Sequence, residues 1–250
     1  MSVRLVISGC SGKMGVRIAE LALADPASFT IAGAIEAAGS PVVGKDYGVV
    51  LGQKPLGVLV TDKPQDAFQQ SDVLIEFSRP EATLEHLQMA WLLKKPMVIG
   101  TTGLSDAQRA TLKEMASNIP VVFSPNMSLG VNVLFELTRL AAKKLGAGYT
   151  VELVEAHHKA KVDAPSGTAK RLIEVLAEVR KEPAEKIPCQ SIREGEIVGD
   201  HTVIFSGPAE RLELKHQAHS RDAFAQGALR AALFLKGRAP GLYDMSHVLQ

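Results

Sequence analysis

The chain has 250 residues, of which 46% are hydrophobic, and its 28 basic and 27 acidic side chains leave a net charge of +1. This balance excludes bulk attraction to nucleic acid or to an anionic membrane, so anions have to be recognised locally. We expect no signal peptide and no membrane span, and the isolated cysteines Cys10 and Cys189 favour a reducing, cytoplasmic compartment.

The first residues predict a strand, a glycine-rich turn and a helix. Residues 3–8 form an apolar run, residues 9–15 have the spacing G-x-x-G-x-x-G, and a helical pattern continues to about Ala24. Glycine permits a tight turn close to a pyrophosphate, and the helix start that follows offers free N–H groups. By itself the pattern also fits a plain strand-to-helix turn.

The second predicted strand, residues 29–35, strengthens the nucleotide interpretation. It ends in Glu36, about 20 residues after the last glycine, where an acid can accept hydrogen bonds from the adenosine ribose. This order predicts a nicotinamide dinucleotide site. Ala37 follows in place of a basic residue for the 2′-phosphate of NADPH, which favours NADH, although Lys13 could offset that loss.

Strands and helices alternate up to residue 127, which predicts a Rossmann-type, doubly wound parallel sheet. Such sheets bind ligands at the carboxyl ends of their strands. The tips at residues 100–103 and 124–127 are therefore candidate ligand positions, and residues 100–102 offer small side chains and hydroxyls for a nicotinamide ribose or ring. Ordinary turn chemistry is the alternative for each tip. Residues 37–57 are predicted as a loop. The predicted elements are strands 58–60, 73–77, 97–99 and 121–123 and helices 63–70, 80–93 and 105–117.

The second half predicts an α+β domain with an open mixed sheet. Strands at 150–156, 190–193, 201–206 and 211–217 are accompanied by helices at 129–145 and 168–181, and a last helix covers 222–236. We expect another subunit to cover the open face, hence a homo-oligomer. The predicted division is a dinucleotide-binding domain, 1–128 with 221–250, and a substrate-binding and oligomerisation domain, 129–220.

Residues 155–169 concentrate the chemistry. His157 is a natural proton donor near neutral pH, and Lys161 and His158 can hold an anion at the helix start that Ser166 opens. A capped helix after a loop with solvated histidines is the alternative. A metal site is disfavoured, because adjacent residues on a strand point to opposite faces; its candidate ligands are His157, His158 and Asp163, with His216 and His219. The remaining histidines considered are interpreted as structural or solvent-facing: His86, His201 and His247.

The sequence EAHHKAKVDAPSGTA at 155–169 resembles the signature of the 4-hydroxy-tetrahydrodipicolinate reductase (dihydrodipicolinate reductase) family of diaminopimelate and lysine biosynthesis. Nearly the whole chain shares this resemblance. The other matching segments are GCSGKMG at 9–15, GTTG at 100–103, SPNMS at 124–128, REGEIVGDH at 193–201 and GLYDM at 241–245.

The resemblance implies NAD(P)H-dependent reduction of a cyclic imine with two carboxylates, by a tetramer assembled through the second domain. His157 would be the acid/base, Lys161 the proton donor, and His158, Gly167 and Thr168 the carboxylate site, with no metal. Ala37 departs from the family's usual basic residue. The implied cofactor contacts are Gly9, Cys10, Ser11, Gly12, Lys13, Met14, Glu36, Gly100, Thr101, Thr102, Ser124, Pro125, Asn126 and Met127.

Two other functions fit the same architecture. One is an amino-acid dehydrogenase of the aspartate or homoserine type, which would turn over an amino acid with NAD. The other is a non-catalytic NAD(H)-binding regulator, which would tolerate loss of His157 and Lys161. No DNA-reading element supports a nucleic-acid partner.

Overall fold

A seven-stranded parallel sheet forms the first of two structural units in the computed structural model, which describes residues 2–250. The strand order is β11-β6-β5-β4-β1-β2-β3, and every neighbouring pair is parallel. In chain order the strands are β1 Val3–Ser8, β2 Phe29–Ile35, β3 Val60–Thr61, β4 Val73–Glu76, β5 Met97–Ile99, β6 Pro120–Phe123 and β11 Gly241–Tyr243.

The helices of this unit begin where the sequence supplies caps. The predicted capping box is confirmed, because Ser105 and Gln108 exchange side-chain and backbone hydrogen bonds at the start of the fifth helix. Pro64 and Pro80 open two others at the position where a missing N–H costs nothing. The helices are α1 Lys13–Ala24, α2 Tyr47–Val50, α3 Pro64–Gln69, α4 Pro80–Leu92, α5 Asp106–Ala116, α8 Asp222–Leu235 and α9 Met245–Val248.

The central strands are apolar on both faces, as a parallel sheet covered by helices requires. Val6, Leu74 and Ile99 are fully buried and belong to one hydrophobic cluster with Leu87 of α4 and Leu112 of α5. Burial of this sheet fixes the carboxyl ends of β1, β4, β5 and β6 at one edge, where the predicted nucleotide turns lie.

The second unit contains a four-stranded mixed sheet of order β10-β9-β7-β8, in which only the β7–β8 pair is parallel. Alternate residues of β7, including Val151 and Leu153, pack into a cluster with Leu172 and Leu176 of α7. Because successive side chains of a strand point to opposite faces, the buried residues of β7 lie on one face, which α7 covers. The elements are α6 Leu129–Leu145, β7 Thr150–His157, α7 Gly167–Arg180, β8 Cys189–Arg193, β9 Gly199–Ser206 and β10 Arg211–Ala218.

The predicted fold class, a Rossmann-type sheet plus an α+β domain with an open mixed sheet, is confirmed. One unit comprises the chain up to Met127 together with Phe224–Gln250, and the other comprises Ser128–Ala223. The carboxyl-terminal segment supplies β11 to the first sheet, in parallel with β6.

Three details of the predicted elements were wrong. The loop assigned to 37–57 contains α2, whose short length gives too little periodicity to detect, and which buries Tyr47 completely. The strand placed at 58–60 is Val60–Thr61. β11 and α9 were not predicted, because a three-residue strand and a four-residue helix depend on tertiary pairing.

Candidate active site

The glycine turn between β1 and α1 is shaped by steric demand. Gly9 has a φ of +69°, and a Cβ there would lie 2.4 Å from the carbonyl oxygen of Phe77. A Cβ on Gly15 would lie 2.2 Å from the carbonyl oxygen of Gly9. Gly12 precedes α1 without a side-chain cap, so the amides of the first turn are available to an anion.

Glu36 lies at the tip of β2 and contacts this turn. Its carboxylate accepts hydrogen bonds from the Ser11 amide at 3.0 Å and the Ser11 hydroxyl at 2.6 Å. Burial alone would raise the pKa of Glu36, but the bonds from Ser11 and the Ala37 amide outweigh it and hold that pKa below its ordinary value. The structure therefore brings together two predicted cofactor residues, with an ionised carboxylate beside the turn.

Tyr47 contacts the glycine turn between β1 and α1, and the sequence did not predict this contact. Its buried hydroxyl lies 2.9 Å from the carbonyl oxygen of Cys10 and 3.3 Å from that of Gly15. Cys10 itself is buried, and burial, followed by the charge of Glu36, raises the pKa of its thiol to about 12. Both main-chain polar groups of Cys10 are already bonded, since its amide donates to the Ile35 carbonyl at 3.1 Å and its carbonyl accepts from Tyr47. Nothing in the spacing of Tyr47 marks it from sequence.

The two other predicted tips follow the adjacent strands β5 and β6. Gly100 packs so closely on Phe77 that a Cβ would lie 2.2 Å from its ring, and the buried Thr101 hydroxyl accepts from Thr83 at 2.9 Å. The Ser124 hydroxyl donates to the Asn126 carbonyl at 2.7 Å. Some polar groups of these two tips are therefore hydrogen-bonded within the protein. The remaining predicted cofactor residues differ in exposure: Lys13, Thr102 and Pro125 are exposed, Met14 is half-buried and Met127 is buried.

The second unit holds a buried carboxylate–imidazole pair at the end of β7. His157 Nδ1 lies 2.5 Å from Glu155 Oε2, and Arg193 Nη2 donates to Glu155 Oε1 at 2.7 Å. Burial lowers the pKa of His157, with further lowering by Lys161 and Arg193, against the opposing effect of Glu155. Bonds from Arg193, Ser191 and His157 hold the pKa of Glu155 down despite its burial. The imidazole is therefore neutral at pH 7 and donates from Nδ1 to an ionised carboxylate.

Lys161 and His158 lie in the segment that follows β7. The Lys161 ammonium pairs with Asp163 at 2.7 Å and is about one quarter exposed. His158 is half-buried, and its amide donates to the Ile197 carbonyl at 2.8 Å. Lys161 is among the groups that lower the pKa of His157. Arg193 donates to Glu155 and to the carbonyl of Asp163, the ion-pair partner of Lys161, so the two predicted proton-handling residues belong to one cluster.

The start of α7 has the features of an anion site. Ser166 is the N-cap and accepts from the Ala169 amide at 3.2 Å. No acidic residue lies in the first turn, and a Cβ on Gly167 would meet nothing within 4 Å. Gly167 therefore leaves open space over the helix start, next to the half-buried Thr168.

His201 joins this cluster, and the expectation that it is structural or solvent-facing did not place it there. It is 2% exposed, its ring centroid lies 5.1 Å from that of His157, and its Nε2 lies 3.1 Å from the Ser166 hydroxyl. Burial, followed by His157, lowers the pKa of His201 to about 3. The antiparallel register that puts His201 opposite Glu155 is a tertiary feature.

The geometry also changes the metal alternative. Among residues 2–250, one group of potential ligands is close enough to share an ion, namely Glu155, His157 and His201. It retains only His157 from the set considered in the sequence. Because Arg193 already pairs with Glu155 and Lys161 acts on His157, two cations compete with any metal ion there.

The fold and these two sets of residues define a two-domain protein built on a Rossmann-type nucleotide-binding domain. The chain belongs to the dihydrodipicolinate reductase family: the family's sequence model for the N-terminus matches residues 3–127, and that for the C-terminus matches residues 130–249.

Individual relatives agree over nearly the full length. The chain is 46% identical to a 4-hydroxy-tetrahydrodipicolinate reductase of Anaeromyxobacter dehalogenans, over 98% of this chain and 97% of the relative. It is 47% identical to one of Ralstonia nicotianae, over 99% of both. The solved structure of a dipicolinate-bound dihydrodipicolinate reductase from Paenisporosarcina sp. TG-14 has a TM-score of 0.80 at 23% identity, covering all of both chains, and shows the same fold. None of the helices within residues 2–250 has the length and apolarity that crossing a membrane requires.

Proposed function

We propose that this chain reduces 4-hydroxy-tetrahydrodipicolinate to tetrahydrodipicolinate with NAD(P)H, in the diaminopimelate route to lysine. The observation that carries the proposal is its full-length relationship, at 46–47% identity, to reductases of that name. The buried Glu155–His157 pair beside Lys161 and an open helix start supports the same chemistry, because the substrate needs an anion site and a proton source together.

The substrate carboxylate is held at the start of α7. The first-turn position of Gly167 and Thr168 and the positive end of the helix favour an anion, and His158 adds a further donor. Rigid attachment at this point orients the substrate ring, and orientation can contribute several kcal/mol to lowering a barrier.

Lys161 is the better proton donor of the two candidates. After the substrate hydroxyl has left as water, a bound nicotinamide would supply a hydride to the ring carbon that carried it, and the resulting enamine would need one proton. The neutral His157 has no proton to spare at Nε2 while its Nδ1–H is engaged with Glu155. His157 therefore serves as a hydrogen-bond acceptor and base beside the Lys161 ammonium.

The nucleotide is held by the turn at 9–15, with Glu36 on the adenosine ribose and the tips at 100–102 and 124–127 towards the nicotinamide. NADH is preferred, because Glu36 is ionised and the exposed Ala37 offers no positive charge to a 2′-phosphate. The expected result is a lower KM for NADH than for NADPH. The reverse order would overturn this preference without affecting the proposed reaction.

The assembly is a tetramer formed through the second unit. Helices α6 and α7 cover one face of its sheet, and the half-buried residues on the opposite face of β7 and β8 include Val154 and Ile192. A second subunit would bury these apolar side chains. A single monomeric species in sedimentation at micromolar concentration would contradict the tetramer.

The two free cysteines suit a reducing compartment.

One assay tests the reaction. Aspartate semialdehyde, pyruvate and the preceding synthase generate the substrate in situ, and NADH oxidation is followed with and without the protein. Lys161→Ala should lower kcat at least about tenfold with NADH affinity unchanged. An amino-acid dehydrogenase would ignore this substrate and oxidise an amino acid with NAD, and a regulator would bind NADH without turnover.

Surface Lys170→Ala provides a matched control, because Lys170 is exposed on α7 in the same unit. Wild-type turnover in Lys161→Ala would remove Lys161 from the mechanism. Failure of the wild-type protein to oxidise NADH or NADPH with this substrate would overturn the proposed function.

A further inference from the structure

The carboxylate of Glu155 is bonded to an imidazole, a guanidinium and a hydroxyl group inside the second unit. Its carboxylate is fully buried on β7, and it receives His157 Nδ1 at 2.5 Å, Arg193 Nη2 at 2.7 Å and a hydrogen bond from Ser191. A buried carboxylate without such partners would be strongly disfavoured. The guanidinium of Arg193 therefore allows Glu155 to remain charged in the interior.

Arg193 connects this carboxylate to the segment that carries Lys161. The same Nη2 donates to the Asp163 carbonyl oxygen at 2.6 Å, and Nη1 donates to the Ile192 carbonyl at 2.7 Å. The Asp163 carboxylate in turn pairs with Lys161. One side chain thus reaches both arms of the cluster, the Glu155–His157 pair and the Asp163–Lys161 pair.

The negative charge of Glu155 determines which nitrogen of His157 carries the proton. A carboxylate accepts only, so the neutral ring places its hydrogen on Nδ1 and leaves Nε2 as an acceptor. The charged and titratable groups around the His157 ring are Glu155 on β7, Arg193 on β8, His201 on β9 and Lys161 in the segment after β7.

We propose that Glu155 and Arg193 are positioning residues of the reaction: Glu155 fixes the tautomer of His157, and Arg193 holds Glu155 and the Lys161 segment in register with each other. The inference rests on the proposed function only where it uses turnover as a readout. The tautomer itself is a property of the free protein.

Glu155→Gln tests the tautomer directly. The glutamine amide has nearly the same shape, but it can donate to Nδ1 and so permits the proton to move to Nε2. Nitrogen-15 NMR of the imidazoles, with His157 assigned through His157→Ala, should show an Nδ1-protonated ring at pH 7 in the wild type and a shift towards the Nε2 form in the variant. An unchanged His157 tautomer in Glu155→Gln would overturn the inference.

A double-mutant cycle tests whether Glu155 acts through His157. Glu155→Gln should lower kcat at least about tenfold in the wild-type background and have less than about a twofold effect in the His157→Ala background. Equal losses in the two backgrounds would mean a purely structural role and would overturn the inference. NADH affinity should be unchanged in all four proteins.

The pH profile and conservative variants add readouts that a folding defect would not reproduce. Loss of the Glu155 charge removes the influence that opposes lowering of the His157 pKa, so the acidic limb of kcat/KM should move to lower pH. Glu155→Asp keeps the negative charge and should recover part of kcat. Arg193→Lys keeps the positive charge but loses the several N–H donors of the guanidinium, so its kcat should lie between those of wild type and Arg193→Ala. Glu174→Gln removes an exposed carboxylate of α7 and serves as control.

The two possible failures are distinguishable. If the wild type shows no NAD(P)H oxidation with the substrate, the proposed function fails, while NMR still decides the role of Glu155. If the wild type turns over and Glu155→Gln retains full kcat with an unchanged tautomer, the positioning role fails and the proposed function stands.

Discussion

Residues 2–250 contain two buried carboxylate–imidazole pairs, one in each unit, and the pairs differ in the groups that surround them. In the first unit, Glu76 at the end of β4 lies 2.6 Å from His86 Nδ1. In the second, Glu155 lies 2.5 Å from His157 Nδ1. The carboxylates are equally buried, at 0% exposure, so distance and burial alone do not show which pair takes part in the proposed reaction.

The two pairs differ in the other groups that contact their carboxylates. Glu76 receives two neutral groups, the Ser8 hydroxyl at the end of β1 at 3.2 Å and the Ser78 amide just after β4 at 2.9 Å. Glu155 receives the Arg193 guanidinium, and the Lys161 ammonium acts on its imidazole. The first pair ties β1, β4 and α4 together, whereas the second is charged, is connected to a lysine and lies in the unit with the open helix start.

Exchanging the two imidazoles for alanine gives the largest expected contrast. His157→Ala should lower kcat at least about tenfold, since general acid–base groups typically contribute about 10²–10⁴ in rate. His86→Ala should instead lower the free energy of unfolding by about 1–3 kcal/mol, because it removes the imidazole partner of Oε2 of the buried Glu76. Steady-state kinetics and denaturant unfolding measure both quantities for both proteins.

The predicted difference between the two pairs would be contradicted if both variants lost kcat, or if both lost only stability. A tenfold loss of kcat in His86→Ala at saturating NADH would give the first pair a role in turnover. Full activity in His157→Ala would reduce the second pair to a structural one.

The pH dependence of stability sharpens the comparison, because His201 accompanies only the second pair. Its folded pKa of about 3 lies below the ordinary value of 6.5, so below pH 6.5 the unfolded chain binds a proton that the folded chain does not. The stability is fully present above about pH 6.5 and decreases as the pH falls towards 3, by at most about 1.4 kcal/mol per pH unit. Urea unfolding at pH 7 and pH 5 should show a smaller decrease for His201→Gln than for wild type.

Exposed His219 provides the control for this measurement. His219→Gln should retain the wild-type difference between the two pH values. An equal decrease in wild type and His201→Gln would contradict the proposed burial of a neutral His201.

The serines beside the two pairs should give the smallest effects. Ser166→Ala removes the N-cap of α7 and should cost about 1 kcal/mol of stability, together with a rise in the KM for the substrate. Ser8→Ala removes a hydrogen bond to Glu76 and should cost about 1 kcal/mol, with the substrate KM unchanged. An unchanged substrate KM in Ser166→Ala would separate the helix cap from the proposed carboxylate site.

Local patterns accounted for much of the fold. The helix Leu129–Leu145 and the strands Val3–Ser8 and Phe29–Ile35 have the predicted bounds, because their periodicity is long and their ends carry clear cap or turn residues. The carboxyl-terminal β11 and the short α2 were missed, since their stability comes from pairing and burial and not from their own sequence.

The sequence by itself determined the Rossmann-type order of elements, the glycine turn with Glu36 after it, and a family signature that names His157, Lys161 and the start of α7. These are local: they need only spacing and residue type. The tertiary structure alone decided that His201, opposite Glu155 in the sheet, joins the cluster, and that Arg193, 38 residues from Glu155 in sequence, neutralises it. Hydrogen bonds between distant residues depend on strand register and burial, which the spacing of residues along one chain does not specify.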